Sequence, residues 1–205
     1  MLRTRIAVFV SGGGTNLQAL IDSEELRSGE IVLVVSDKEE AYALKRAEKA
    51  GIKTAVVKKK GVSQADFEAG LISALDENRI DFIILAGFMC ILSADFTSRY
   101  PRRIINVHPS LIPSFCGKGF YGLHVHEAAL AYGVKVTGAT VHYVNEIPDG
   151  GEIILQKAVC IEDGDTPEVL QRRVMEQAEW KLLPKAAEIV SKRIADEKNN
   201  VERKN

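Results

Sequence analysis

Residues 105–111, with the sequence INVHPSL, place an amide, an imidazole and a proline at the end of an apolar run. The run begins at Arg103 and predicts a buried strand, which Pro109 ends. Asn106 and His108 are two residues apart, so an extended chain points both side chains to the same face. Open α/β sheets bind ligands at the carboxyl ends of their strands. The stretch therefore predicts a ligand-binding strand end, unless Asn106 is only a cap and His108 only a core residue.

An amide and an imidazole on one face of a strand end suit acyl-type transfer. The amide can stabilise a developing oxyanion, and the imidazole can accept and donate protons. Asp149 would complete an acid–base set if its carboxylate paired with that imidazole. Its position in the PDGG sequence of residues 148–151 is also typical of an ordinary turn. On the residues alone, both interpretations stay open.

The composition predicts a globular chain without a nucleic-acid or membrane partner. Its 205 residues suit one domain, and 46% hydrophobic residues are enough for a substantial core. A net charge of −1 gives no general attraction for polyanions. Three cysteines without a Cys-x-x-Cys pair favour a reducing compartment over a disulfide framework or a zinc ribbon. No signal peptide is evident in residues 1–10 and no apolar run reaches membrane length, so we expect a cytoplasmic protein.

Apolar runs alternate with amphipathic segments along the first hundred residues. This rhythm predicts an α/β fold with a doubly wound, mostly parallel sheet. Beyond residue 123 we expect a helix, a C-terminal β-extension of two longer strands, and a long C-terminal helix. The predicted strands are 5–10, 31–36, 54–57, 81–85, 104–107, 135–144 and 152–161, and the predicted helices include 41–50, 64–77, 93–99 and 124–132.

The C-terminal helix has recognisable start and stop signals. Thr166 and Pro167 are typical of an N-cap and a first helical residue. An apolar stripe follows through Leu170 and Val174, and Pro184 predicts a kink or the start of a second segment. The polar tail from residue 196 to residue 205 is expected to be frayed.

A glycine-rich loop, residues 11–16 with the sequence SGGGTN, follows the first predicted strand. Glycines let the backbone approach an anion, which makes the loop a candidate phosphate site. The Lys-Ser/Thr pair of a P-loop is missing. Gly12 and Gly14 fit a dinucleotide fingerprint with Asp37 as its ribose acid, but Leu17 stands where the third glycine belongs. A nicotinamide nucleotide and a tight turn without a ligand therefore stay open as alternatives.

The histidines outside the strand end have weaker signals. His142 alternates with apolar neighbours, which is more typical of a structural hydrogen bond. His124, His126 and Glu127 resemble metal ligands, but helical residues two apart point in different directions. Since no further ligand motif lies nearby, we predict no metal site.

Two charged features also admit two interpretations. The three lysines of residues 58–60 are either solvated or in contact with an anionic substrate tail. Glu179, near the apolar stripe of the C-terminal helix, is either a surface acid or an acceptor for sugar hydroxyls.

Five strings in chain order resemble the phosphoribosylglycinamide formyltransferases, a folate-dependent family. The NxHPSL pattern is typical of the wider formyltransferase superfamily, and the glycine loop and short chain are typical of this family. Methionyl-tRNA formyltransferase and formyltetrahydrofolate deformylase share the catalytic strings but carry an additional domain, for which we expect no room here. The strings are SGGGTNLQ from 11, LAGFM from 85, NVHPSLIP from 106, VHYV from 141 and DGG from 149, and they span nearly the whole chain.

The resemblance implies a Rossmann-like formyltransferase domain over residues 1–195. Residues 1–100 would form the half that binds the ribonucleotide phosphate, and residues 101–195 the catalytic and folate-binding half. The implied reaction transfers the formyl group of 10-formyltetrahydrofolate to the glycyl amine of glycinamide ribonucleotide in purine biosynthesis. It needs no metal, and the implied protein is a cytoplasmic monomer or homodimer.

The resemblance also implies residue roles. Asn106 and a protonated His108 would hold the oxyanion, while Asp149 raises the pKa of His108 and helps to transfer a proton. Cys90 stands where many relatives carry Arg, and the segment 114–121 is longer than in many relatives. The positions that match ribonucleotide contacts are Gly13, Gly14, Thr15, Asn16, Pro109 and Glu179, and those that match the folate pocket are Phe88, Met89, Cys90, Ile91, Leu92, Val144, Asn145 and Glu146.

Overall fold

One seven-stranded sheet organises the fold in a computed structural model that describes residues 3–202. Its strands are β1 (Thr4–Val10), β2 (Gly29–Ser36), β3 (Lys53–Val56), β4 (Phe82–Leu85), β5 (Ile104–His108), β6 (Val136–Tyr143) and β7 (Ile153–Cys160). The order is β3-β2-β1-β4-β5-β6-β7. The first five strands pair in parallel, whereas β6 and β7 pair antiparallel with their neighbours. The predicted doubly wound, mostly parallel sheet with a C-terminal β-extension is confirmed.

Helices cover both faces of this sheet. They are α1 (Thr15–Ile21), α2 (Tyr42–Lys49), α3 (Gln64–Glu77), α4 (Ala94–Arg99), α5 (Leu123–Tyr132), α6 (Pro167–Val174) and α7 (Trp180–Glu202). Ile6 and Val8 of β1 are buried in a cluster with side chains of α1, α2, α6 and α7. The alternating residues Ala7 and Phe9 are buried with side chains of α3 and α4. The period of two along the strand therefore divides the core between the two helical layers.

The helix boundaries in the first half follow from local caps. α3 spans the predicted residues 64–77, and the Ser63 side chain accepts a hydrogen bond from the Asp66 amide. α4 begins after Ser93, whose side chain accepts from the Phe96 amide. The predicted strands of this half agree with the observed ones to within two residues at each end.

The C-terminal helix is interrupted earlier than predicted. Thr166 caps α6 and Pro167 is its first residue, as expected. The interruption is a π turn, Met175–Glu179, in which the Trp180 amide donates to the Met175 carbonyl. Pro184 lies inside α7 and neither starts nor ends a segment. The prediction that Pro184 starts a second segment was wrong, because the interruption is the π turn before it, which keeps the apolar spacing of a helix and leaves no sequence signal.

The predicted fraying from residue 196 was also wrong for the described residues, because α7 continues to Glu202. Ile194 and Ala195 are buried, and burial of an isoleucine side chain such as Ile194 contributes about 1.5–3 kcal/mol. Lys198 forms an ion pair with Asp81 at 2.5 Å. Residues 1, 2 and 203–205 lie outside the described residues, so the ends of the predicted domain and tail stay predictions. No helix within residues 3–202 is both long and apolar enough to cross a membrane.

Candidate active site

Strands β5 and β6 and the turn after β6 bring four polar side chains together. Asn106 lies opposite His142 in the antiparallel register, with Asn106 Nδ2 3.3 Å from His142 Nε2. His108 Nδ1 lies 3.4 Å from Asp149 Oδ2, and His142 Nε2 lies 3.5 Å from Asp149 Oδ1. The predicted convergence of Asn106, His108 and Asp149 is therefore present at the carboxyl end of β5.

The turn between β6 and β7 positions Asp149. Asp149 has a positive φ of 56°, and its Oδ2 accepts a hydrogen bond from the Gly117 amide at 2.8 Å. A Cβ atom on Gly151 would lie 1.7 Å from the Tyr143 carbonyl oxygen, so glycine is required for the turn to close against β6. Burial raises the pKa of Asp149. The His142 hydrogen bond, the charge of His108 and the Gly117 amide together lower the pKa by more than burial raises it. The net pKa lies below the ordinary value of 3.8, so Asp149 is a carboxylate at neutral pH.

His108 is held between two acceptors. Its Nε2 donates to the Phe115 carbonyl at 2.8 Å, and its Nδ1 faces Asp149. Burial lowers the pKa of His108 below 6.5, and this effect exceeds the opposite effects of Asp149 and of the Phe115 carbonyl. Asp149 raises the pKa of His108, as expected, but the expected protonated His108 is not supported, because desolvation of the imidazolium outweighs the attraction of the carboxylate.

His142 is the site residue that the sequence did not identify. Its Nδ1 donates to the Tyr143 carbonyl at 2.8 Å, which turns Nε2 toward Asn106 and Asp149. The alternation in the sequence predicted a strand histidine with a structural hydrogen bond, and that bond is present. Its second contact depends on the register between β5 and β6, for which the sequence carries no local signal.

The segment 114–121 packs against the acid–base pair through its backbone. Phe115 offers its carbonyl to His108, and Gly117 offers its amide to Asp149. Phe115 and Gly117 have positive φ angles of 48° and 85°. This loop therefore supplies one backbone contact to each member of the pair.

A cavity of about 130 Å³ opens beside Asn106, His142 and Asp149. Its other walls come from the 85–92 segment after β4 and from the 144–148 segment after β6. All the predicted folate positions line it except Met89, which is half exposed and whose amide donates to the Ser11 hydroxyl. The two segments that resembled folate-pocket walls thus face each other across the cavity, whereas Met89 points elsewhere.

The glycine loop meets the C-terminal helix at a second polar site. Asn16 Nδ2 donates to Glu179 Oε2 at 2.7 Å, and the Thr15 hydroxyl lies 3.9 Å from the Met175 sulfur. Gly14 has a positive φ of 72°, and a Cβ atom there would lie 2.6 Å from the Ala43 Cβ. Gly14 is therefore required for the packing of α2 on the loop. Two predicted ribonucleotide positions remain. A Cβ atom on Gly13 would have no neighbour within 4 Å, and Pro109 directly follows His108.

Glu179 lies in the π turn with its side chain buried. Burial raises its pKa to about 7, against the smaller opposite effect of the Asn16 hydrogen bond. The Asn16 Oδ1 atom is buried without a partner among the described residues. The pair can therefore offer both a carboxyl group and an amide oxygen to hydroxyl groups of a ligand.

The alternative assignments lose support from the geometry. Asp37 accepts a hydrogen bond from the Cys90 thiol at 3.5 Å instead of standing free for a ribose. His124 pairs with Glu127 at the surface, whereas His126 is fully buried, so the three do not converge. Within residues 3–202, no group of three or more His, Cys, Asp or Glu side chains is arranged to hold a metal ion.

Comparison with known proteins places this geometry in a family. The model of the formyl transferase family matches residues 4–187. The chain belongs to the formyltransferase family. The trifunctional purine biosynthetic protein adenosine-3 of Homo sapiens is 45% identical to this formyltransferase chain over 192 residues, which are 92% of this chain and 18% of that protein. The chain thus spans about a fifth of the length of that relative.

Relatives of similar length are also found among the formyltransferases. The phosphoribosylglycinamide formyltransferase of Haemophilus influenzae is 40% identical over 185 residues, covering 88% of this chain and 84% of that protein. The crystal structure of glycinamide ribonucleotide transformylase 1 from Symbiobacterium toebii has a TM-score of 0.86 and 39% sequence identity, covering 93% of this chain and 88% of that one.

Proposed function

We propose that this chain transfers the formyl group of 10-formyltetrahydrofolate to the glycyl amine of glycinamide ribonucleotide. The observation that carries the proposal is the convergence of Asn106, His108 and Asp149 beside a cavity at the carboxyl end of β5. The names of the Haemophilus and Symbiobacterium relatives support it.

The reaction begins when the glycyl amine attacks the formyl carbon on N10 of the folate. A carbon–nitrogen bond forms, and the carbonyl oxygen takes the electron pair to become an oxyanion. Asn106 Nδ2 carries two hydrogens and has His142 Nε2 as its neighbour at 3.3 Å, so at least one hydrogen is available for the oxyanion. The preorganised amide lowers the barrier because it meets a charge that exists only in the transition state and the intermediate.

His108 responds to the developing charge, and Asp149 transfers the proton. Burial lowers the pKa of His108 from its ordinary value, which favours the neutral imidazole before the reaction. The growing oxyanion favours the charged form of His108, so His108 takes up a proton from solvent as the charge develops and returns it when the oxyanion collapses to the carbonyl. Asp149 takes a proton from the attacking nitrogen and passes it to N10, after which the bond between the carbon and N10 breaks. The products are the formylated amide and tetrahydrofolate with a hydrogen on N10.

The second polar site would bind the ribonucleotide. Gly12 and Gly13 have open space where a side chain would stand, so an anion can approach their backbone. Asn16 and Glu179 lie next to this loop and would accept hydrogen bonds from ribose hydroxyls. The folate would occupy the cavity between the 85–92 and 144–148 segments.

We further propose one catalytic domain over residues 1–195, whose two halves bind the ribonucleotide and the folate respectively. The partners would be the two small-molecule substrates, without a nucleic acid, a membrane or a metal. The enzyme would be a cytoplasmic monomer or homodimer. Light scattering of the purified chain measures the oligomeric state.

Steady-state kinetics with both substrates test the proposed function. We expect Asn106→Ala and His108→Ala each to lower kcat by about 100- to 1,000-fold with little change in KM. His124→Ala is the matched control, because this exposed histidine pairs with Glu127 outside the site. If Asn106→Ala kept the kcat of the wild type, the proposed oxyanion contact would be contradicted. If the wild-type chain itself showed no turnover, the proposed function would be contradicted.

A further inference from the structure

Position 90 offers no charge to a ligand in the cavity. The Cys90 thiol lines the cavity and donates a hydrogen bond to Asp37 Oδ2 at 3.5 Å. Burial, reinforced by the Asp37 carboxylate, raises the pKa of Cys90 to about 12. The thiol is therefore neutral at any physiological pH, whereas the resemblance to the family implies an arginine at this position.

Lys59 is held beside the same part of the cavity. It is half-buried, whereas Lys58 and Lys60 on either side are exposed. Its Nζ lies 5.3 Å from the ring centroid of Phe67, and Phe67 stacks on Phe88 with 6.4 Å between the ring centroids. Since Phe88 lines the cavity, a stack of two aromatic rings connects the lysine to the cavity wall.

The ammonium group of Lys59 is free to bind an anion. Lys58 pairs with Glu39 at 2.7 Å, whereas Lys59 has no carboxylate within 4.0 Å among residues 3–202. Glu68 is the acid on the neighbouring helix, but both of its oxygens accept hydrogen bonds from Ser93. The positive charge of Lys59 reaches the Cys90 thiol, where it acts against the effect of Asp37. Lys38 adds a second, smaller positive contribution there.

We propose that Lys59 binds a glutamyl carboxylate of the folate co-substrate and so provides the cation that position 90 lacks. The inference rests on the proposed function. The glutamyl carboxylates are the only anionic groups of 10-formyltetrahydrofolate, and among the described residues the cavity lining offers them no lysine or arginine but two carboxylates, Glu146 and Asp149. Ile91, which lines the cavity next to Cys90, is 69% exposed, so this side of the cavity reaches solvent. A co-substrate whose formyl group lies at Asn106 and whose tail leaves by this side passes Lys59.

The test compares two formyl donors that differ only in this tail: 10-formyltetrahydrofolate and 10-formyltetrahydropteroate, which has no glutamate. We expect Lys59→Ala to raise KM for the folate about 5- to 10-fold without changing kcat, since a charge-assisted contact made equally in ground and transition states affects binding alone. KM for the pteroate should stay at its wild-type value. Lys59→Arg should retain most of the affinity for the folate.

Two further variants sharpen the result. Lys58→Ala is the matched control and should leave both KM values unchanged, because Lys58 is already paired. Cys90→Arg in the Lys59→Ala background should restore affinity for the folate but not change that for the pteroate.

The proposal would be overturned if Lys59→Ala raised both KM values equally, or if Lys38→Ala or Lys58→Ala alone reproduced its effect. Wild-type turnover with either donor is measured first. Its absence would contradict the proposed function, whereas turnover that is indifferent to both the tail and Lys59 would contradict only this inference.

Discussion

The buried carboxyl group of Glu179 should make the folded state less stable as pH rises, and Glu179→Gln should remove this effect. The pKa of Glu179 is about 7 in the folded protein against an ordinary value of 4.5. The folded state therefore holds the proton more tightly than the unfolded state. Stability from this group is present below pH 4.5 and is lost as pH rises through about 7.

The magnitude follows from the two pKa values. Their difference of about 2.5 units corresponds to about 3 kcal/mol, at about 1.4 kcal/mol per unit. Glu179→Gln keeps the shape and the oxygen that accepts from Asn16 but carries no charge. We expect its free energy of unfolding to exceed that of the wild type by up to about 3 kcal/mol at pH 8, and by less than about 1 kcal/mol at pH 5.

Urea unfolding of both proteins at pH 5 and pH 8 measures this difference. Glu176→Gln is the matched control, since Glu176 lies in the same π turn but is exposed and pairs with Arg172. The reasoning would be refuted if the gain from Glu179→Gln were the same at both pH values. The gain in stability should be accompanied by weaker binding of the ribonucleotide, because the variant loses the charged acceptor proposed for the ribose.

Three other outcomes are expected. Burial lowers the pKa of His126 to about 4, so the free energy of unfolding should fall by up to about 3 kcal/mol as pH drops from 6.5 to 4. His126→Leu should abolish this loss in acid unfolding curves. The same loss of stability at low pH in His126→Leu would contradict the prediction. Gly13→Ala should weaken ribonucleotide binding in calorimetry at unchanged melting temperature, whereas Gly14→Ala should lower the melting temperature because of its positive φ and its contact with α2. The double variant His108→Ala/Asp149→Asn should be little slower than the worse single variant, and additive losses would show that the two residues do not act as one unit.

The sheet and the strand end could be predicted because their signals are local. The apolar run of residues 6–10 and the helical spacing in 64–77 each extend over one element, and short connections fix which elements follow one another. Asn106 and His108 lie on one face for the same reason, since two residues along a strand determine a shared direction.

The remaining site features depend on contacts between distant segments. His142 meets Asn106 only through the antiparallel register of β5 and β6, and Asp149 reaches His108 only because the 148–151 turn folds back. The lowered pKa of His108 reflects how deeply the folded chain buries it, which its neighbours in sequence do not reveal.

The helix errors have a similar cause. The π turn at Met175–Glu179 adds one residue to a turn without disturbing the apolar stripe. The polar residues of the tail find partners on other elements, as Lys198 does on Asp81. From composition alone, these polar residues were expected to be exposed to solvent in a frayed tail.

The most direct test of the central claim follows a ¹³C-labelled formyl group from 10-formyltetrahydrofolate by NMR in the presence of glycinamide ribonucleotide and the purified chain. The account predicts that the label appears on the glycyl nitrogen as a formamide in step with the release of tetrahydrofolate. Appearance of the label as free formate, or its retention on the folate, would contradict direct formyl transfer at Asn106, His108 and Asp149.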